Sequence, residues 1–525
     1  MDDNPPSDRQ NDEDARHNDP RPRSPHDQTQ REANVAVPAL LSVLLMTLLS
    51  VRLMSLPLNR ILELRYCLSY YQVHDPAKIP AHGEIPESDC KLEDIQRKLG
   101  WMMGALDTAM QACDLVIATP MGYLADKIGR RLVLALNCTS TAVLLIWIIF
   151  VGGVQSIPTA AILAGPFLSL FGGGNNVFKS VSVALMSDLA GTETQRTTYI
   201  SYFLSTDYIA LLAGPMLAGV LMPHGLLLPL WTGVVLIGLG LPLLSLVPKH
   251  NSRLNRSSPP STSLNDCIDD REQRPLLHED RIAAETATTK PQLQQPNAHR
   301  TINFFAEYTS LIKASQNFRL VLLAKFLSSF ASSSSNILAL YITLRTGWSF
   351  AEVGYIYTLK GTINILLAAV IVPTCARYFT GKVSSDQGSN FVFNLISTKL
   401  ALLASIIGAI LVGLAATKPT IITALCIYAL GSVLPIFMYA IARSPELGVL
   451  DESNEGSGFT VLVVVQAIGA LLGAPTMAAV WVRAIEMGGR GLGLPYFVSA
   501  AAYAGALVVM LFVTGDGRPD ARRLD

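Results

Sequence analysis

The sequence predicts an all-α, polytopic membrane protein of twelve transmembrane helices in two pseudo-symmetric six-helix bundles. Three observations carry that reading. Half of the 525 residues are hydrophobic and only 15% are charged, where a soluble domain carries about 25% charged residues. Apolar runs close to the roughly 20 residues that a bilayer requires recur along the chain. A polar stretch at 248–300 divides those runs six and six.

Taken in order, residues 1–35 are rich in Asp, Asn, Arg and Pro and hold too little apolar surface to fold, so a disordered cytosolic tail is expected. No apolar run near the start resembles a cleavable signal, which leaves the first span as the insertion signal. An N-terminal bundle is expected over 36–247, with spans near 36–56, 101–121, 132–152, 160–182, 199–222 and 226–247. The Ser- and Pro-rich segment 248–300 reads as a disordered cytosolic linker. Within 301–318, Phe304, Phe305, Tyr308, Leu311 and Ile312 recur at helical spacing and predict an amphipathic helix lying on the membrane surface. A C-terminal bundle is expected over 319–514, with spans near 320–343, 352–375, 398–416, 420–442, 459–482 and 494–514. Residues 515–525 form a second cytosolic tail.

Orientation follows from the basic residues. With the N-terminus inside, short inner turns carry Lys127, Arg130, Arg131, Arg196, Arg377, Lys382, Lys399 and Arg443, and short outer turns only Arg345, Lys418, Arg483 and Arg490. This excess puts both termini in the cytosol. The exception is the first outer loop, 58–98, whose basic residues are balanced by acids. Cys67 and Cys90 lie in that loop. If it faces an oxidising compartment they can pair, which is worth roughly 3 kcal/mol; otherwise they are two thiols, and the sequence leaves both open. Cys113, Cys138, Cys375 and Cys426 lie in or beside spans, where cysteine serves as a small hydrophobe.

The halves share a pattern. IALLAGPMLAGV in span five contains Gly214, Pro215 and Gly219, and IGALLGAPTMAAV in span eleven contains Gly469, Gly473 and Pro475. Small residues let helices approach closely in lipid, and matching Gly/Pro positions six spans apart point to a repeat.

The most specific signal is GYLADKIGRR, where Gly122, Leu124, Ala125, Asp126, Gly129, Arg130 and Arg131 fit G-x-L-A-D-x-x-G-R-R after the second span. It resembles the signature between helices two and three of the major facilitator superfamily. The resemblance covers most of 36–514 and implies the major facilitator fold, with alternating access to a central cavity. It also implies a cytosolic latch. Gly122 lets span two pack tightly, Asp126 docks on the positive end of the eleventh span, Gly129 makes the turn, and Arg130 and Arg131 anchor to headgroups and acidic neighbours. A positive-inside turn with a helix cap explains the same residues without a latch. RYCLSYY, IPESDCKLEDIQ, LRTGWSFAEVGYIYTLKGTINILLAAVIVP and GGRGLGLPYFVSAA resemble a fungal branch related to proton-coupled folate carriers. Many members of that branch look like drug or secondary-metabolite exporters. The chain departs from the pattern at ARYFTGKVSSD, which lacks the acidic latch residue. It departs again at Lys360, where the branch usually has Arg.

Charges inside spans are costly and therefore functional candidates. Asp107, Asp114, Lys179, Asp207, Lys325 and Lys360 qualify. Lys179 and Asp207 each lie about 12 Å in from the inner side, and Lys360 about 12 Å in from the outer. An Asp207 that exchanges between Lys179 and Lys360 would carry a coupling proton; a static buried pair that only fixes packing accounts for the same residues. Lys325 is expected to snorkel to the inner surface. Asn175, Asn176, Asn336 and Gln466 line the cavity or hydrogen-bond between helices.

EQRPLL (Glu272–Leu277) fits an acidic dileucine pattern, which leaves the vacuolar membrane as an alternative to the cell membrane. No catalytic motif, phosphate loop or metal-ligand spacing is present, so neither enzymatic activity nor a cofactor or metal is expected. The expected partners are a small-molecule substrate, protons and the lipid bilayer, with the chain a monomer and no nucleic acid bound. The function expected is proton-coupled efflux of a small amphipathic organic compound. Proton-coupled nutrient uptake and a non-transporting sensor on the same fold are the alternatives.

Overall fold

The computed structural model of the protein describes residues 25–80, 85–190, 192–247, 315–372, 374–375, 387–442, 444 and 455–513. Residues 1–24 of the expected tail, the linker with its dileucine motif, 301–314 of the expected surface helix and 515–525 lie outside the described residues. So does the side chain of Asp126, although its backbone is helical.

Among the described residues the chain is helical throughout. The helices are α1 (Pro25–His74), α2 (Glu93–Ile128), α3 (Arg130–Gly153), α4 (Gly165–Ser169), α5 (Gly174–Asp188), α6 (Glu193–Leu221) and α7 (Leu228–Leu243). Then follow α8 (Gln316–Ser332), α9 (Leu338–Thr346), α10 (Phe350–Leu366), α11 (Gln387–Leu414), α12 (Lys418–Leu430), α13 (Leu434–Ala442), α14 (Glu455–Met487) and α15 (Leu494–Leu511). Nine helical stretches among the described residues are long and apolar enough to cross a membrane, and the protein is a multi-pass membrane protein.

Three of the twelve predicted spans are not among the nine, for two physical reasons. The second, α2, is long enough at 36 residues but carries Asp107, Thr108, Gln111 and Asp114 along its length. The fourth and seventh are split. Gly173 and Gly174 adopt φ of +92° and +68°, which ends α4 and starts α5. Ser333–Asn336 form a 3₁₀ turn between α8 and α9. The tenth span, which is among the nine, changes to 3₁₀ geometry at Gly431–Val433 between α12 and α13 without a break in the helix.

The largest departure from expectation lies in the segment assigned to the first outer loop. α1 does not stop near 56 but continues to His74. The charges that suggested a loop are buried and partnered. Glu63, fully buried, receives Arg60 at 3.0 Å, Lys91 at 2.6 Å and the Gln96 amide at 2.6 Å. Arg65 donates to the carbonyls of Val151 and Val154, both at 2.7 Å, where α3 ends, a favourable place for a cation. Cys67 and Cys90 are bonded, S–S 2.08 Å, and tie this extension to the segment preceding α2. This end of the molecule is called the disulfide end below, and the end carrying GYLADKIGRR the motif end.

Two helix pairs join residues 25–247 to residues 315–513: α2 packs on α14, and α6 on α10. Both seams are built on glycine at the disulfide end. A Cβ on Gly100 would meet Trp481 Cδ1 at 2.6 Å, and one on Gly104 would overlap the Ala478 methyl. A Cβ on Gly219 would lie 2.7 Å from the Ala351 carbonyl, and one on Gly354 would lie 2.5 Å from that of Pro215.

Candidate functional site

Between the two seams lies a cavity of about 570 Å³, walled by α1, α2, α5, α6, α10 and the Ser333–Asn336 turn. Its polar lining comes from Arg52, Asp107, Gln111, Asn175, Ser335, Asn336, Tyr357, Lys360 and Asn364, set among Leu, Met, Ile and Pro side chains. A concave, mostly apolar site with a few convergent polar groups suits a small organic ligand. Asp107 sits on the cavity face of α2, beside the Asn336 side chain of the interrupted seventh span. That contact crosses from one part of the chain to the other.

Lys179 and Asp207 meet at 3.4 Å. Asp207 is shared, because Arg52 of α1 reaches it at 3.3 Å. All three side chains remain roughly a quarter to a third exposed, so each pair is worth only about 0–1 kcal/mol. Lys360 is not brought to Asp207: its ammonium lies over the Tyr428 ring, 5.5 Å from the centroid. Arg52 was missed in the sequence although it is a visible charge inside the first apolar run.

Asp114 has a structural job. Its carboxylate lies against the start of α5, where the backbone N–H groups of Asn175 and Asn176 favour its charged form. A Cβ on Gly174 would collide with it. From α3, the Asn137 amide donates to the carbonyls of Gly172 and Gly174 at 2.9 and 2.8 Å. The glycine break in the fourth span thus has its exposed backbone groups satisfied from neighbouring helices, which non-helical backbone at membrane depth requires.

Lys325 does not snorkel. It is buried, with its ammonium 4.3 Å from the Tyr439 ring centroid, and it lines a second pocket of about 220 Å³ that also includes Lys360 and Gln466. The Gln466 side chain accepts the Tyr439 hydroxyl at 2.8 Å, and its backbone carbonyl accepts Ser329 Oγ at 2.6 Å.

At the motif end, Gly129 (φ +100°) makes the turn between α2 and α3. Arg130 pairs with Asp188 at 2.6 Å and donates to the Ala184 carbonyl at 2.9 Å. Arg131 donates to the Val247 carbonyl at 2.8 Å. Leu124 is half-buried. Gly122, expected in a tight helix contact, instead has no atom within 4 Å of its Cβ direction. Among the described side chains the close α2–α14 contacts lie toward the other end, at Gly100 and Gly104, and Tyr123 beside Gly122 is 65% exposed. The glycines of the internal repeat are in close contacts: Gly214 against Arg52, Gly469 against Phe326 and Ser329, Gly473 against Phe330 and Ser333. Pro215 and Pro475 sit inside α6 and α14.

Residues 93–474 match the Major Facilitator Superfamily. The chain is 25% identical over 459 residues to the MFS efflux pump atnC of Emericella nidulans, covering 87% of this chain and 83% of that protein. It is 23% identical over 435 residues to the efflux pump ustT of Aspergillus flavus, covering 82% and 79%. Among solved structures, the human organic anion transporter MFSD10 aligns with TM-score 0.55 at 16% identity over 91% of this chain and 99% of that one. The nucleoside transporter NupG aligns with TM-score 0.56 at 11% identity over 90% and 98%.

Proposed function

The chain belongs to the Major Facilitator Superfamily, and from that premise we propose that this transporter exports a small amphipathic organic compound, a drug or secondary metabolite, by proton-coupled alternating access. The observation that carries the reading is the 570 Å³ cavity with its unequal ends. Glycine seams shut the disulfide end, while among the described residues Gly122 at the motif end has no neighbour within 4 Å of its Cβ direction and Tyr123 is exposed. With both termini in the cytosol of a monomer in the cell membrane, this is a conformation that receives substrate from inside. The efflux-pump names of fungal relatives support the direction. Departures from α-helical geometry at 170–173 and 431–433, six predicted spans apart, support twelve spans in two related six-helix bundles.

Asp107 is the proton site in this reading. Its partner is a neutral amide, so neutralising it breaks no ion pair, whereas Asp207 is held by two cations. Because Asn336 lies across the cavity, a proton arriving at Asp107 alters a contact between the parts that must move. Asp126 is the motif-end latch of the opposite conformation, docking on the start of the eleventh span.

Efflux of amphipathic compounds from cells with and without the protein, at varied external pH, tests the proposal. The expected result is efflux driven by an inward proton gradient, with Asp107→Asn retaining exchange at equal concentrations but losing gradient-driven export. Net uptake, or gradient-driven export unchanged in Asp107→Asn, overturns it.

A further inference from the structure

The smaller pocket differs in chemistry from the cavity beside it. Lys325 of α8 and Lys360 of α10 both line it. Neither has a carboxylate within ion-pairing distance among the described residues; each faces an aromatic ring, Tyr439 for Lys325 and Tyr428 for Lys360. Within the described part of 315–513 the acids whose side chains are described are Glu352 and Glu486, both at helix ends on the disulfide side; Glu455 opens α14 at the motif end, with its side chain outside the described residues. By contrast, Arg52 and Lys179 in the first part of the chain share Asp207. Two ammonium groups at membrane depth without a counter-charge are costly to hold, and an aromatic face compensates only in part. The remaining lining is rich in hydroxyls and amides, and Asn364 keeps a buried amide oxygen with no hydrogen-bond partner. Ser335, Lys360 and Asn364 line both spaces, so a ligand can occupy the two at once.

We propose that this pocket is an anion subsite, in which Lys325 and Lys360 clasp the carboxylate of an organic acid whose apolar body extends into the larger cavity. The proposal rests on the transport reading above and adds the substrate class to it. Charge-assisted hydrogen bonds from two lysines fit a carboxylate oxygen pair, and the Ser432 and Ser335 hydroxyls and the Asn364 Nδ2–H group are the donors that line the pocket beside them, while the unpartnered Asn364 oxygen can accept from a lysine. The counter-charge that the described residues do not supply is thus brought by the cargo.

The test uses the full-length protein in lipid nanodiscs and titration calorimetry with three probes: 1-naphthoate, its neutral methyl ester and the cation 1-naphthylmethylammonium. The acid is expected to bind about tenfold more tightly than the ester, the effect of one charge-assisted hydrogen bond, and the cation most weakly. Lys325→Gln and Lys360→Gln should each erase the preference for the acid over the ester, and Lys360→Arg should keep it. On the unaltered protein, the acid and not the ester should slow reductive methylation of Lys325 and Lys360, a readout independent of any variant's folding. Equal binding of acid and ester, or a preference that survives both glutamine variants, overturns the subsite. Exchange of probes across proteoliposomes separates this from the transport reading. Exchange without acid preference overturns the subsite alone, and lysine-dependent acid binding without exchange overturns the transport reading alone.

Discussion

At one end of α2, Gly100 and Gly104 press against Trp481 and Ala478; at the other, Gly122 meets nothing within 4 Å among the described residues. The disulfide end also holds the fully buried Glu63 with three partners, a disulfide, and Glu87 reaching the Phe350 N–H at the start of α10 at 3.0 Å. The motif end holds its arginines on backbone carbonyls and on Asp188, with side chains still about a quarter exposed. The same residue type on the same helix therefore does different work in this conformation. One set of glycines closes a seam, and the other waits for a partner that only a rearranged molecule can supply.

The largest expected effect comes from breaking the closed seam. Gly104→Leu places a side chain where Ala478 already sits, so the disulfide end cannot shut and transport should fall more than tenfold. Gly122→Leu should leave this conformation intact, seen as unchanged labelling of a cysteine probe in the cavity from the motif side. Next is Glu63→Ala, which removes the shared partner of Arg60, Lys91 and Gln96, leaving Arg60 only Glu87 at 3.6 Å, and should cost about 3–5 kcal/mol in denaturant titrations. Asp188→Asn at the motif end should cost no more than about 1 kcal/mol. Cys67→Ser opens a loop with a sequence separation of 23 residues and should cost about 3 kcal/mol, seen as a lower unfolding midpoint.

The smallest effect is a pH dependence of closure. Burial raises the Glu87 carboxyl above its ordinary range, against the opposing pull of Arg60 and Lys91, with Glu63 adding to the rise and the Phe350 N–H opposing it. A conformation with a raised carboxyl pKa binds its proton more readily than one in which Glu87 meets water. Closure should therefore strengthen as pH on that side falls toward the ordinary glutamate range, and weaken as pH climbs through the raised value. Glu87→Gln should flatten that dependence in accessibility measurements.

Much of this contrast was legible in the sequence. Apolar runs gave most of the spans, because membrane helices satisfy their own backbone and need only length and hydropathy. GYLADKIGRR marked a turn with the arginine anchors in place, and Lys179 and Asp207 were near enough in chain order to pair. The extension of α1 was hidden because Arg60, Glu63 and Arg65 look solvated until their partners, from distant segments, bury them. The close contact expected of Gly122 is not made among the described residues of this conformation, because packing depends on conformation, which a sequence does not specify. Lys325 was assigned to the surface by its depth alone, and depth says nothing of the Tyr439 ring that holds it.

The central claim is that the disulfide-end seam must open and close in every transport cycle. Arg97 and Glu486 face each other across it at 4.0 Å, and a short bis-maleimide joining Arg97→Cys to Glu486→Cys would fix it shut. Substrate flux through the cross-linked protein is expected to vanish, while each single-cysteine variant treated alike keeps its flux. Undiminished flux in the fully cross-linked protein would contradict the account.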